Sequence, residues 1–292
     1  MAPAPKLTLL FARLSALSTL LTVALGSVVC ATKSGFDCHS WPGCYPDRFV
    51  PGTADIPAVL AANPALEMVH RVTAMGTGAV LVIAALLTLR LVGHGRLVKV
   101  LPWVAVAAAG GSALFGRAAV LGLGVDATGA AVDLLFALTA MALSALTALA
   151  LTRGGRLALT DVSAPAGLAA TLLVVMHVTG QLAAGNRSFT RCMSWPVLWL
   201  ASDDNLLVQV LRTGFAIAAA VALVVAVRAG LRTAAVRGHA LVVAGLLAGV
   251  LVLAVAYRAS GTDGGVLGVT FSLASVALLW STITLAGRAR PR

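Results

Sequence analysis

The sequence predicts an all-α integral membrane protein of eight transmembrane helices, arranged as two tandem four-helix bundles. Three observations carry this. Of the 292 residues 60% are hydrophobic and only 11% are charged, against about 25% charged in soluble domains. The apolar residues fall in runs near the 20 or so residues that a helix needs to cross a bilayer. And a pattern of polar residues recurs in the second half of the chain.

The runs lie at roughly 8–31, 66–89, 100–120, 128–152, 165–184, 205–227, 239–258 and 265–286. They are rich in Leu, Val and Ala and lack the ten-residue alternation of a membrane barrel. Backbone polar groups in lipid must be satisfied internally, so helices are the expected form. The first run is long enough to span and shows no evident cleavage site after a short core, so it reads as a retained helix.

The net charge of +11 is read as topology, not as a nucleic-acid surface. Lys6, Arg13, Arg90, Arg96, Lys99, Arg153, Arg156, Arg228, Arg232, Arg237, Arg288, Arg290 and Arg292 fall on one side, with Asp161 as its only acid. Most acids fall on the other side. The positive-inside bias places both termini in the cytoplasm, and the composition suits a bacterial plasma membrane. The cysteine-bearing loops are then outside.

The repeat is legible without gaps at first. Gly26 to Pro42 reads GSVVCATKSGFDCHSWP and Gly180 to Pro196 reads GQLAAGNRSFTRCMSWP. Gly26 matches Gly180, Lys33 matches Arg187, Ser34 matches Ser188, Cys38 matches Cys192, Ser40 matches Ser194 and Trp41-Pro42 matches Trp195-Pro196. With the second loop shortened, Val69-His70-Arg71 falls on Val210-Leu211-Arg212. Gly124-Val125-Asp126 falls on Gly261-Thr262-Asp263. The halves are therefore set at 1–155 and 156–292, running in the same direction, each with an interior able to hold a flat cofactor.

Candidate chemistry gathers at the first outer loop and the helix after it. Cys38 and Cys44 bracket a Pro- and Gly-containing loop and can fold back to disulfide distance on the oxidising side. A structural staple, a redox-active pair and a weak zinc site with His39 are the alternatives. Glu67 and His70 share a helix face. The imidazole could bind haem iron, and the carboxylate could orient a ligand or move a proton; the pair could also merely anchor the helix end. Arg71 and Arg212 hold equivalent places, suited either to a ligand carboxylate or to snorkelling. Asp133 lies within the fourth helix, where a carboxylate costs on the order of 3 kcal/mol. It should face the bundle interior, towards His70 or an arginine. His177, inside the fifth helix, reads as a ligand or a hydrogen-bonded interior residue. His94 and His239 are expected to be solvated, and Cys30 and Cys192 have no obvious sequence partners.

Together these motifs resemble the haem A synthase family. The resemblance rests on the Cys38, Trp41-Pro42, Cys44 loop, the Glu67-x-x-His70-Arg71 helix start, the eight spans and the tandem halves. It implies oxidation of the haem O methyl group to the formyl group of haem A for terminal oxidases. It implies haem O held in the N-terminal half, an electron-passing haem b in the C-terminal half, and Glu67, His70, Cys38 and Cys44 as functional residues. The cofactor set expected from it is His70 with Arg71, Asp133, Arg212 and His177. Haem O synthase and oxidase-assembly factors are the implied partners besides the lipid bilayer, with no nucleic acid. The chain departs from the family pattern of four ligand histidines: Asp133, Leu211 and a residue near Thr270 stand at the other three positions, and the second loop has one cysteine. The C-terminal haem site is thus expected to be lost unless His177 substitutes. A non-catalytic haem-binding or oxidase-assembly relative is the second reading, and a small-molecule transporter the third.

Overall fold

The computed structural model describes residues 4–35, 38, 40–44, 64–153, 159–184, 188–196, 205–261 and 265–289. Eight helices within it are long and apolar enough to cross a membrane. They are α1 (Lys6–Ala31), α2 (Pro64–Leu89), α3 (Arg96–Val120), α4 (Ala127–Thr152), α5 (Ser163–Ala183), α6 (Leu206–Leu231), α7 (Arg237–Ser260) and α8 (Gly265–Arg288). Among the described residues there is no strand. The protein is an all-α membrane protein, as the runs of apolar residues require.

Local sequence sets several helix ends. Pro64 opens α2, where its missing N–H would have had no helical partner. Asp126 caps α4 by accepting from the Gly129 N–H at 2.8 Å, satisfying one of the orphan donors of a helix start. Asn205 caps α6 in the same way, on the Val208 N–H. Gly261 ends α7 in the left-handed region, with φ 61°, which glycine adopts without a Cβ penalty.

The helices pack in two rings. In the first, α1 and α3 each lie against α2 and α4. In the second, α5 and α7 each lie against α6 and α8. The second ring thus repeats the pairing order of the first, helix for helix. The rings meet along α1, α4, α5 and α8. The buried positions of these helices include many small residues, among them Ala140, Ser144, Ala145 and Thr147 on α4, Ala166, Ala169 and Ala170 on α5, and Ser272, Ser275, Thr282 and Thr284 on α8, beside larger ones such as Leu138, Leu173 and Leu279. Lipid tails are as apolar as leucine, so close backbone approach through small side chains is what holds such helices together. Leu207, Ile217, Val252 and Val255 of α6 and α7 are more than half exposed, as suits a lipid-facing wall.

Candidate functional site

In the first ring the end that carries the loop between α1 and α2 is organised by one carboxylate and one guanidinium. Glu67 lies in the first turn of α2, where the helix dipole favours negative charge. Arg71 follows four residues later, so the two meet on one face. Both are buried, 3% and 7% exposed, and they form an ion pair. Each also reaches the loop that carries Cys38 and Cys44. Glu67 Oε2 accepts from the Cys38 N–H at 3.1 Å. Arg71 Nη1 donates to the carbonyls of Ser40 at 2.5 Å and Gly43 at 3.1 Å. Its Nη2 donates to the Cys38 carbonyl at 2.9 Å. The guanidinium also stands 5.8 Å from the centroid of the Trp41 ring, and the Trp41-Pro42 peptide is cis.

Cys38 and Cys44 form a disulfide, with their Cα atoms 4.4 Å apart. The expected staple is therefore present, and its backbone is clamped from beneath by α2. Arg71 does not snorkel; it is a buried loop clamp. A zinc site would need His39, which lies outside the described residues, and Cys38 and Cys44 are bonded to each other. Among the described residues no group of three or more His, Cys, Asp or Glu side chains could hold a metal ion.

His70 points to α1. A Cβ on Gly26 would lie 3.2 Å from its Cε1, so the imidazole packs closely against the bare backbone of Gly26. Its buried Nδ1 has no hydrogen-bond partner among the described residues. Below it, Thr22 and Thr77 share a hydroxyl–hydroxyl bond of 2.9 Å that ties α1 to α2. Asp133 is not turned to His70 or to an arginine. It accepts from Ser112 Oγ of α3 at 2.5 Å, because α3 is the neighbour that its turn of α4 faces.

The second ring repeats the guanidinium without the carboxylate. Arg212 of α6, 4% exposed, donates from Nη2 to the Ser194 carbonyl at 3.0 Å and to Ser194 Oγ at 3.3 Å. Its Nε donates to the Met176 carbonyl at 3.3 Å. Ser40 and Ser194 are matched residues of the repeat, so Arg71 and Arg212 grip the same backbone position in their two loops. Gly180, the match of Gly26, faces the Arg212 guanidinium, with a Cβ placed 3.2 Å from Cζ and 2.9 Å from the Thr190 carbonyl.

His177 is 2% exposed, and its Nδ1 has no hydrogen-bond partner among the described residues. The other two positions weighed as haem ligands look outward. Leu211 is 49% exposed. Thr270 is exposed, with its hydroxyl bonded to the Val266 carbonyl. The end of this ring near the loop after α5 instead holds aromatic side chains: Phe189 stacks on Tyr257 at 4.3 Å between centroids, and Phe271 lies 6.0 Å from each. Ser272 of α8 holds the loop by donating to the Met193 carbonyl.

Three features escaped the sequence. Cys30 and Cys192 form a disulfide, with Cα atoms 5.6 Å apart and 162 residues between them in sequence. It binds the C-terminal end of α1 to the loop after α5. Gln181 and Arg191 make a reciprocal pair, Arg191 Nε to Gln181 Oε1 at 3.0 Å and Gln181 Nε2 to the Arg191 carbonyl at 2.8 Å; burial lowers the pKa of that guanidinium. His239 is not simply solvated, since its Nε2 lies 2.7 Å from Thr284 Oγ1 and joins α7 to α8. Only the first left a signal, in the even count of four cysteines on the side read as oxidising. Neither a known protein family nor a curated protein nor a solved structure matches the chain.

Proposed function

We propose that the chain is a haem A synthase-like membrane oxidoreductase whose N-terminal half takes haem O through His70. The observation that carries this reading is the imidazole itself. It is cradled by Gly26, lies beneath a clamped and oxidised loop, and keeps a buried Nδ1 without a partner. A buried polar atom with no bond is costly, and an iron ion is a suitable partner for a neutral imidazole nitrogen. The donor set of the first ring therefore fits a haem held by one histidine. Bound haem would supply the redox chemistry; conversion of a methyl to a formyl group also needs an oxygen source and an electron acceptor. The work of Glu67 and Arg71 in this reading is to fix the loop over the site, not to exchange protons with substrate, since both carboxylate oxygens are already engaged.

The second ring does not fit a haem at the positions the family resemblance assigns. Leu211 and Thr270 face outward and the space between the helices holds Phe189, Tyr257 and Phe271. That observation favours a second reading, a non-catalytic relative that holds haem or supports oxidase assembly. In both readings the protein sits in a bacterial plasma membrane with its termini in the cytoplasm, on the charge bias of its loops.

The test is the reduced pyridine haemochrome spectrum of the detergent-purified protein and of His70→Ala, both from cells that supply haem O. Haem O or A in the parent and its loss from the variant are expected. Equal haem in the two would remove His70 from the site. Haem O retained without any formyl product, in cells with a working electron chain, would leave the second reading standing in place of the first.

A further inference from the structure

We infer that the second ring contains an oxyanion site at Arg212, built to take a phosphate or carboxylate group from outside the chain. It goes beyond the haem reading, which concerns the first ring. The repeat supplies an internal control. Both rings bury an arginine against the carbonyl of the residue before Trp-Pro. Arg71 has Glu67 one turn away as its counter-charge. The matching position before Arg212 is Val208, which cannot supply one.

Arg212 is the more buried of the two, yet among the described residues it forms no ion pair, and its Nη1 makes no hydrogen bond. Its three bonds go to neutral oxygens, of Met176 and Ser194. A charge taken out of water costs several kcal/mol unless it is paired and its donors are used. Deletion of the carboxylate without deletion of the guanidinium is therefore unstable as it stands, and an anion is the partner that completes it. A planar guanidinium with an unused edge suits the oxygens of a phosphate or carboxylate.

His177 is the second, independent observation. It sits on α5 between Met176, whose carbonyl accepts from Arg212 Nε, and Gly180, whose Cβ position faces the guanidinium. Its Nδ1 is buried and without a partner. An oxyanion between the two would satisfy both a cation and an orphaned nitrogen. The site lies near the outer end of α6, so the anion can come from an acidic phospholipid headgroup or from a free oxyanion in solution.

The experiment measures the thermal midpoint of the full-length, haem-free protein in detergent against inorganic phosphate at constant ionic strength. Its second arm reconstitutes the protein in nanodiscs of phosphatidylglycerol or of phosphatidylcholine. The variants are Arg212→Gln and Val208→Glu. The latter places a carboxylate four residues before Arg212, as Glu67 stands before Arg71, and so keeps the protein informative if Arg212→Gln fails to fold. A rise of several degrees with phosphate in the parent, absent from Val208→Glu, is expected for a site open to solution. A rise with phosphatidylglycerol and none with free phosphate identifies the lipid as the source. No rise in either arm overturns the proposal, and so does an equal rise in parent and Val208→Glu. Asp203→Asn/Asp204→Asn is the remaining check: a parent insensitive to anions, with this variant as destabilised as Arg212→Gln, would assign the counter-charge to the chain itself.

Discussion

The two rings differ, at the ends that carry the cysteine loops, in how a buried arginine is compensated. In the first, Arg71 and Glu67 form a neutral pair, and both partners spend their remaining valence on the loop backbone. In the second, Arg212 grips the matching loop carbonyl with no carboxylate beside it. The loops also close differently. The first is stapled to itself through Cys38 and Cys44, the second to the other ring through Cys192 and Cys30. A repeated sequence can thus keep a backbone contact while the charge and the covalent closure around it change. The lesson is that the guanidinium–carbonyl grip belongs to the architecture, whereas Glu67 and the cysteine pairing are specific to each half.

The comparison breaks most severely if Glu67 is replaced by alanine. Removal of one partner from a buried pair leaves an uncompensated charge and costs about 3–5 kcal/mol. The expected result is a large fall in thermal midpoint, together with alkylation of Cys38 and Cys44 under mild reduction that leaves the parent protected. A variant as stable as the parent would show that Arg71 is hydrated, and would dissolve the contrast with Arg212.

Separating the rings comes next. Cys30→Ser removes a crosslink that closes a long loop, worth about 2–5 kcal/mol when a native disulfide is lost. The embedded helices already restrict the unfolded chain, which places the effect at the low end. The readout is the unfolding transition: the parent should unfold as one unit and the variant in two steps. A single, unshifted transition would mean that the α1, α4, α5 and α8 contacts hold the rings together unaided.

A smaller effect compares the two glycines. Gly180→Ala would push a methyl group against the Thr190 carbonyl at 2.9 Å and the guanidinium at 3.2 Å, and overpacking of this kind costs about 1–3 kcal/mol. Gly26→Ala meets only the edge of the His70 ring at 3.2 Å, which can turn aside. Its stability loss should be the smaller of the two, and its haem retention should change instead. Equal losses in both would show that His70 is as tightly fixed as Arg212.

Much of this was legible in the sequence, for definite reasons. Hydropathy is summed over some twenty residues, so the spans come through strongly; the predicted 66–89 and 205–227 correspond to Pro64–Leu89 and Leu206–Leu231. The equivalence of Arg71 and Arg212 was readable because polar matches stand out against apolar helices. Their targets were not, since they are backbone carbonyls, which every residue carries. Asp133 was expected to face inward, but its partner Ser112 depends on how α3 sits against α4, which no local pattern encodes. The bond between Cys30 and Cys192 was hidden for the same reason: it records which loop lies over which helix end.

That bond also orders assembly in time. Synthesis proceeds from the N-terminus, so Cys30, Cys38 and Cys44 are all present while Cys192 is still unmade. For the interval of synthesis that separates them, Cys30 must wait as a thiol beside two reactive neighbours. The grip of Glu67 and Arg71 on the backbone of Cys38 and Gly43 sets Cys38 and Cys44 beside each other within the first ring alone. Closure of the Cys30–Cys192 bond therefore requires that the second ring has arrived.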